Sequence, residues 1–164
     1  MLKIRPSLSL GRLLRDSVGA ALVEFALLAP VLALLLLGLI DYSLRISTTM
    51  AVDRAAKAGA DYAIAHGFAA QEVSAAVTGA IDSRQFSYMA TITADPAPNE
   101  WCGCPDAATA GVETATCGST CTSGSEAGRY ATVSAQSTYQ AMIDWPWQSP
   151  ASNVVSTSTV VRIE

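Results

Sequence analysis

The sequence predicts an α+β protein: a long N-terminal transmembrane helix continues into a small domain with a short helix and a roughly three-stranded, mainly antiparallel sheet. Three observations predict this fold class. Residues 20–40 form an apolar run with one charged residue, and helix-compatible residues without proline follow as far as residue 66. From residue 86 the apolar residues alternate with polar or small ones, and this two-residue period is typical of strands.

These boundaries divide the 164-residue chain into four parts. We expect a cytoplasmic basic leader peptide at 1–19, a transmembrane helix at 20–40, a juxtamembrane helix at 41–66 and an exported α+β domain at 67–164. Hydrophobic residues make up 51% of the chain, and the excess lies near the N-terminus.

The charge distribution orients the predicted membrane helix. Four of the ten basic residues precede Gly19 with one acid, Asp16, whereas six basic and thirteen acidic residues follow. Because basic residues stay on the cytoplasmic side, we expect a single-pass membrane protein with its N-terminus in the cytoplasm and its C-terminal domain outside. The exported part is acidic and has no basic stripe, which disfavours nucleic-acid binding.

The apolar run has the length of a membrane helix but contains a carboxylate. Residues 20–40 would rise roughly 31 Å, about the hydrocarbon thickness of a bilayer. Inserting Glu24 costs on the order of 2.5–3.5 kcal/mol, so a partner is expected. Cleavage after Gly19 would create an α-amino group at Ala20, one helical turn from Glu24, as a counter-charge. A removable secretory signal and an uncleaved anchor are the alternative interpretations.

The segment Gly19-Ala-Ala-Leu-Val-Glu24-Phe25 resembles the prepilin peptidase site of the Tad/Flp branch of type IV pilins. The matching features are a basic leader, a glycine, a small residue at Ala20, a glutamate at the fifth mature position, an aromatic residue and an apolar helix. Residues 53–60 are also similar to a stretch common in TadE-like proteins. The resemblance covers roughly residues 15–65.

This resemblance implies a TadE-like minor pilin (pseudopilin) for Flp pilus assembly, cleaved after Gly19 by a prepilin peptidase. The implied partners are that peptidase, other Tad pilins and minor pilins, the inner-membrane assembly platform and the lipid bilayer. The resemblance also implies a location in the bacterial inner membrane with the C-terminal domain in the periplasm, or an extracellular location once the product is assembled into a pilus. No cofactor or metal is expected. The alternative is an uncleaved, membrane-anchored periplasmic binding or assembly protein.

A stripe of small residues follows one face of the predicted juxtamembrane helix. Ala51, Ala55, Gly59 and Ala63 recur every four residues, which permits close approach of another backbone. One interpretation is packing against the protein's own sheet, and the other is helix–helix packing in a pilus. A second row, Asp53, Lys57 and Asp61, alternates in charge and predicts ion pairs one turn apart.

The exported domain is predicted to contain one helix and three strands. The spacing of apolar residues predicts a helix over 69–81, and alternation predicts strands over 86–92, 129–142 and 153–163. Trp145-Pro146-Trp147 forms an aromatic cluster in a predicted loop. The tryptophans are expected to cap the sheet edge or to fill a gap in the core, and the alternative is an exposed contact patch.

A cysteine-rich loop is predicted at 100–122, where Gly, Ser, Thr and Ala predominate. Its cysteines are Cys102, Cys104, Cys117 and Cys121, an even and clustered set that indicates disulfides in an exported protein. Of the three possible connectivities we favour nesting, which joins Cys102 to Cys121 and Cys104 to Cys117. A zinc site is the alternative, although the C-x-C and C-x3-C spacings are not the usual pairs.

Catalysis is not predicted. His66 is the single histidine and ends a predicted helix, where a basic residue is explained by the helix dipole. We find no nucleophile elbow, phosphate loop, HExxH motif or paired catalytic carboxylates. An exported enzyme is therefore the least supported of the three functional hypotheses.

Overall fold

The computed structural model describes residues 17–82, 88–106, 111–142 and 153–163. These described residues form an α+β structure, as predicted, with two helices and one antiparallel sheet of four strands in the order β2-β1-β3-β4. The chain divides into two units, residues 1–42 and 43–164. The elements are α1 (Ser17–His66), α2 (Ala70–Gly79), β1 (Asn99–Asp106), β2 (Gly111–Thr114), β3 (Gly128–Thr138) and β4 (Val154–Arg162).

The core of the second unit forms between α1, α2 and β3. Small residues on one face of α1 are buried, and they lie against Val73 and Val77 of α2 and against Val133 of β3. Since these α1 side chains are short, the helix backbone can lie close to the elements that cover it. The buried residues of α1 in this core are Val52, Ala55, Ala56, Ala60 and Ala63.

The turn between the helices depends on a glycine. Gly67 follows the end of α1 with φ +85°, the left-handed conformation that glycine adopts without steric cost. Across this turn the Tyr62 hydroxyl donates a 2.7 Å hydrogen bond to Glu72 Oε2. The short helix predicted over 69–81 is therefore confirmed as Ala70–Gly79.

The long strand β3 organises the sheet. It pairs with β4 along Tyr130–Thr138 and with β1 along Gly128–Thr132. The predictions of strands at 129–142 and 153–163 are confirmed. The third predicted strand, 86–92, falls partly outside the described residues, and its described part forms only isolated bridges, Met89 with Tyr139 and, just beyond, Thr93 with Gln136.

The segment around residues 89–93 forms only isolated bridges because β1 already pairs with the N-terminal part of β3 on that side. The segment can therefore pair only with the C-terminal end of β3. Thr93 and Gln136 exchange two backbone hydrogen bonds, and Ala90 N–H donates to the Thr138 carbonyl. Prolines at positions 96 and 98 follow at once, and proline cannot donate to a ladder. The pairing therefore ends after a few residues.

The prediction of a loop at 100–122 was wrong for residues 100–106 and 111–114, because strands β1 and β2 pair there. The Trp101 ring stacks on Tyr130 at 5.3 Å, and its Nε1–H donates a 2.8 Å hydrogen bond to Thr132 Oγ1. Gly103 provides space: a Cβ atom there would lie 2.6 Å from both the Trp101 ring and Val112. This glycine therefore marks close packing within a strand rather than a turn.

Candidate functional site in the long helix and its packing face

The N-terminal part of α1 exposes large apolar side chains around its whole circumference. Leu27 is 71% exposed and Leu36 is 60% exposed, although these two residues are nine positions apart and so lie on opposite sides of the helix. Within Ala21–His66, an 18-residue window has a mean hydropathy of 2.6, and none of it is buried. A helix that is apolar on all sides and uncovered by protein is compatible with a single membrane pass.

The predicted processing residues lie at the start of this helix. Gly19 and Ala20 have helical backbone in the first turn of α1, and Glu24 and Phe25 follow in the next two turns. Ala20 and Glu24 are four residues apart, so they share one face of the helix. Glu24 and Phe25 are both exposed, which leaves the carboxylate open to a partner.

The small-residue stripe lies further along α1, in the second unit. Ala55, Gly59 and Ala63 are buried, and Ala51 is half-buried. At Gly59 the approach is closest, since a Cβ atom would lie 2.5 Å from Val77 Cγ2 and 2.9 Å from Val133 Cγ1. In this structure the stripe thus packs within its own chain, against α2 and β3.

The outer faces of α1 carry the polar groups. Lys57 Nζ lies 2.6 Å from Asp53 Oδ2, as the alternating row predicted, and both side chains are exposed, so the pair adds little to stability. His66 is the last residue of α1, and its ring stacks on Tyr62 at 4.5 Å. The hydrogen bond to Glu72 raises the pKa of Tyr62 above its ordinary value, with smaller contributions from desolvation and from the Glu72 charge.

The four cysteines form two disulfides, but the predicted nested pairing was wrong. The bonds join Cys102 to Cys117 and Cys104 to Cys121, with Cα–Cα distances of 5.2 and 5.6 Å. The pairing is interleaved. Disulfide-bonded sulfurs carry no thiolate, so the bonding opposes the alternative of a zinc site.

Two chain reversals explain the interleaved pairing. After β2 the chain continues antiparallel along β1, where Ala115 N–H donates to the Cys102 carbonyl, and this brings Cys117 to Cys102. At Gly118, φ is +77° and the chain turns again, so that Cys121 returns towards Cys104. A single reversal would place Cys121 next to Cys102 and Cys117 next to Cys104, which is the nested pairing. The second reversal exchanges these partners and gives the interleaved pairing.

Sequence reasoning missed the β1–β2 hairpin that holds these cysteines. One signal was present: Cys102 and Cys104 stand two residues apart and flank Gly103, so both side chains point to one face of a strand. The Trp145-Pro146-Trp147 cluster lies outside the described residues.

Residues 19–61 match the family model of the TadE-like proteins. The match begins at Gly19 and extends through the apolar part of α1 and the small-residue stripe as far as Asp61, about a quarter of the chain. No curated protein and no solved structure matches the chain.

The TadE-like match ends before α2 and the sheet. It therefore covers the processing residues and three of the four stripe residues, Ala51, Ala55 and Gly59. Ala63 and all four cysteines lie beyond it. The features of the family model therefore lie in α1, and the disulfide-linked sheet lies outside the match.

Proposed function

We propose that this chain is a minor pilin, or pseudopilin, of a Tad (Flp) pilus, cleaved after Gly19 by a prepilin peptidase. The observation that carries the proposal is the start of the TadE-like match at Gly19, directly before the apolar part of α1, whose most hydrophobic 18-residue window contains no buried residue. A pilin needs such a helix twice, first as a membrane anchor and then as a packing element in the filament.

The chemistry in this proposal is performed on the chain by the peptidase. Glycine at the cleavage position lets the backbone approach an aspartyl protease closely, because it has no side chain. Cleavage converts the Ala20 amide into a charged amine one helical turn from Glu24. That pair would offset the burial of both charges in lipid or in a filament.

The two disulfides support export of the sheet. Disulfides persist in oxidising compartments such as the periplasm, and the basic residues of the leader favour a cytoplasmic N-terminus. Both features agree with a single-pass protein whose C-terminal domain is periplasmic. In a Tad system the product would then initiate, cap or stud the pilus together with other pilins and the assembly platform.

The test is the mature N-terminus. The chain is expressed with its native prepilin peptidase, purified from membranes and measured by intact mass and N-terminal peptide mapping. We expect a protein that begins at Ala20. Gly19→Ala should block processing, whereas Gly38→Ala is the matched control, because a Cβ atom at Gly38 meets no atom within 4 Å.

An intact Met1 in the native host would contradict the proposal and favour the uncleaved anchor. A chain cut at another position would indicate a signal peptidase instead. Normal processing of Gly19→Ala would remove the role proposed for this glycine.

A further inference from the structure

The strand β4 lies at one edge of the sheet that the described residues form. In the order β2-β1-β3-β4 it is terminal, and among the described residues no strand lies beyond it. All eight residues from Val154 to Val161 are uncharged, and none is proline. Natural edge strands are usually protected by lysine, proline, a bulge or a covering element, because their free backbone groups otherwise pair with another strand.

The backbone groups at this edge have a defined direction. Tyr139 N–H donates to the Asn153 carbonyl at 2.8 Å, and Ile163 N–H donates to the Arg129 carbonyl at 2.9 Å. Both bonds fit the register that runs through β3 and β4, so the odd-numbered residues of β4 bond to β3. In an antiparallel ladder the even-numbered residues must then direct N–H and C=O outwards.

The even-numbered side chains of β4 from Val154 to Val160 are arranged symmetrically about Thr157. One residue away on each side is a serine, Ser156 or Ser158, and three residues away is a valine, Val154 or Val160. These two valines are 43% and 48% exposed. A strand with this symmetry matches a second copy of itself when the two run antiparallel.

We propose that β4 pairs with β4 of a second copy of this chain, with the two-fold axis at Thr157. Val154 then faces Val160 of the partner copy, and Ser156 faces its Ser158. All of these positions are even-numbered, so their outward backbone groups form the bonds, roughly eight in all at two for each of four pairs. The ladder that joins β3 to β4 continues through this edge into one eight-stranded sheet.

Charge supports this register over the neighbouring one. If the axis lay at Ser158, the even-numbered residues of the two copies would again face each other. Arg162 would then lie opposite Val154, and a serine would lie opposite Val160. With the axis at Thr157, each Arg162 lies five residues from the axis, so the two guanidinium groups are roughly 33 Å apart. That distance exceeds the screening length in physiological salt, and the pairing segment itself carries no charge.

The opposite edge of the sheet fits a copy less well. Strand β2 has four residues, one of which is Glu113, so self-pairing would give a short ladder and bring like charges together. Pairing of β2 with β4 of the next copy would be a head-to-tail contact, which produces open polymers rather than closed dimers. The proposed pairing does not depend on processing after Gly19.

The first experiment measures the molecular mass and the rate of amide hydrogen exchange in β4, both on the full chain in detergent. Sedimentation with correction for bound detergent should give a concentration-dependent dimer, and hydrogen exchange should show slow amides at Ser156 and Ser158 in the dimer. Ser158→Pro should raise the dissociation constant at least about tenfold, because it removes a donor on the free edge but none that bonds to β3. Ser158→Ala is the matched control and should dimerise.

The second experiment fixes the register. With the axis at Thr157, that residue faces itself in a non-hydrogen-bonded pair with closely spaced Cα atoms, so Thr157→Cys should give a disulfide-linked dimer. Ser158→Cys should not, because its copies lie diagonally, beyond disulfide reach. Non-reducing electrophoresis and intact mass record the cross-link, and circular dichroism checks that each variant is folded.

Three results would overturn the proposal. They are a monomer at all concentrations, a polymer rather than a dimer, and a dimer that Ser158→Pro leaves unchanged while the amides of Ser156 and Ser158 exchange rapidly. The last result would place the contact elsewhere, for example on the apolar helix. Cross-linking of Ser158→Cys but not Thr157→Cys would overturn the register.

Discussion

At Gly59 a single hydrogen atom in place of a side chain determines how closely α1 approaches its neighbours. Gly59→Ala gains up to about 1 kcal/mol of helix propensity. The new methyl group, however, would lie within 3 Å of Val77 and Val133, which belong to two different elements. Overpacking of this kind costs about 1–3 kcal/mol, so we expect a net loss of stability, measured by thermal or urea unfolding of the full chain in detergent.

Gly79→Ala is the control for this substitution. Gly79 is the last residue of α2, and a Cβ atom there meets nothing within 4 Å. The control should be neutral or slightly stabilising. If Gly59→Ala were as stable as Gly79→Ala, the close packing of α1 on α2 and β3 would be refuted.

The Tyr62 hydroxyl provides a second prediction at the residue scale. Its bond to Glu72 requires the protonated phenol, and it raises the pKa of Tyr62 above the ordinary value of about 10. The folded-state pKa is the higher one, so the contribution to stability is complete below about pH 10 and is lost as the pH rises through the raised pKa.

Glu72→Gln should therefore lower the pKa of Tyr62 towards its ordinary value, as followed by NMR or by absorbance titration against Tyr62→Phe. Glu113→Gln, an exposed glutamate on β2, is the control and should leave the Tyr62 titration unchanged. An unaltered titration in Glu72→Gln would show that this hydrogen bond does not form.

Among the elements, the β1–β2 hairpin and the segment that follows it depend on the interleaved disulfides. Removing a native pair, as in Cys102→Ser with Cys117→Ser, leaves Cys104 and Cys121 bonded and should expose no thiol. Removing a mixed pair, Cys102→Ser with Cys121→Ser, leaves two cysteines that are not partners. Thiol titration of the unfolded, unreduced protein should then find two thiols in the mixed variant.

The mixed-pair variant should also be less stable than the native-pair variant. Loss of one native disulfide costs about 2–5 kcal/mol, and the mixed variant loses both bonds. Two thiols in the native-pair variant and none in the mixed variant would restore the nested connectivity that the sequence first indicated.

The elements also show which features the sequence could predict. Strand β3 and strand β4 alternate and are rich in β-branched or small residues, so local pattern was sufficient. β1 was missed because its cysteines and glycine are typical of loops, and only the Trp101 contacts with Tyr130 and Thr132 reveal its pairing. The disulfide partners depend on the second reversal at Gly118, a long-range consequence that spacing alone does not determine.

For the whole molecule, the sequence predicted the candidate membrane helix and the family resemblance, because both depend on composition and on motifs within one continuous segment. The sequence did not determine whether the small-residue stripe packs against the protein's own sheet or against another helix in a pilus. The structure places Ala55, Gly59 and Ala63 against the chain's own α2 and β3. If a filament forms, the apolar residues 21–40 are therefore the exposed surface available for helix–helix contact.

Glu24 is the charged group within that surface, and the proposed pilin function predicts its role. If the mature amine at Ala20 pairs with Glu24 in a neighbouring or the same subunit, Glu24→Ala should leave membrane insertion intact, because it removes a charge from a helix that is otherwise apolar. It should impair assembly, because loss of one partner from a buried pair costs about 3–5 kcal/mol. That energy corresponds to at least about a hundredfold weaker subunit incorporation.

Membrane fractionation, mass spectrometry of the N-terminus and counts of pili by electron microscopy separate these steps. Glu24→Gln keeps the size of the side chain but not its charge, so it should resemble Glu24→Ala if the pairing is ionic. Glu113→Ala changes an exposed glutamate of β2 and should leave piliation normal. Normal piliation of Glu24→Ala, with the mutant subunit present in membranes and correctly cleaved, would exclude the pairing and would require another reason for a carboxylate in this apolar helix.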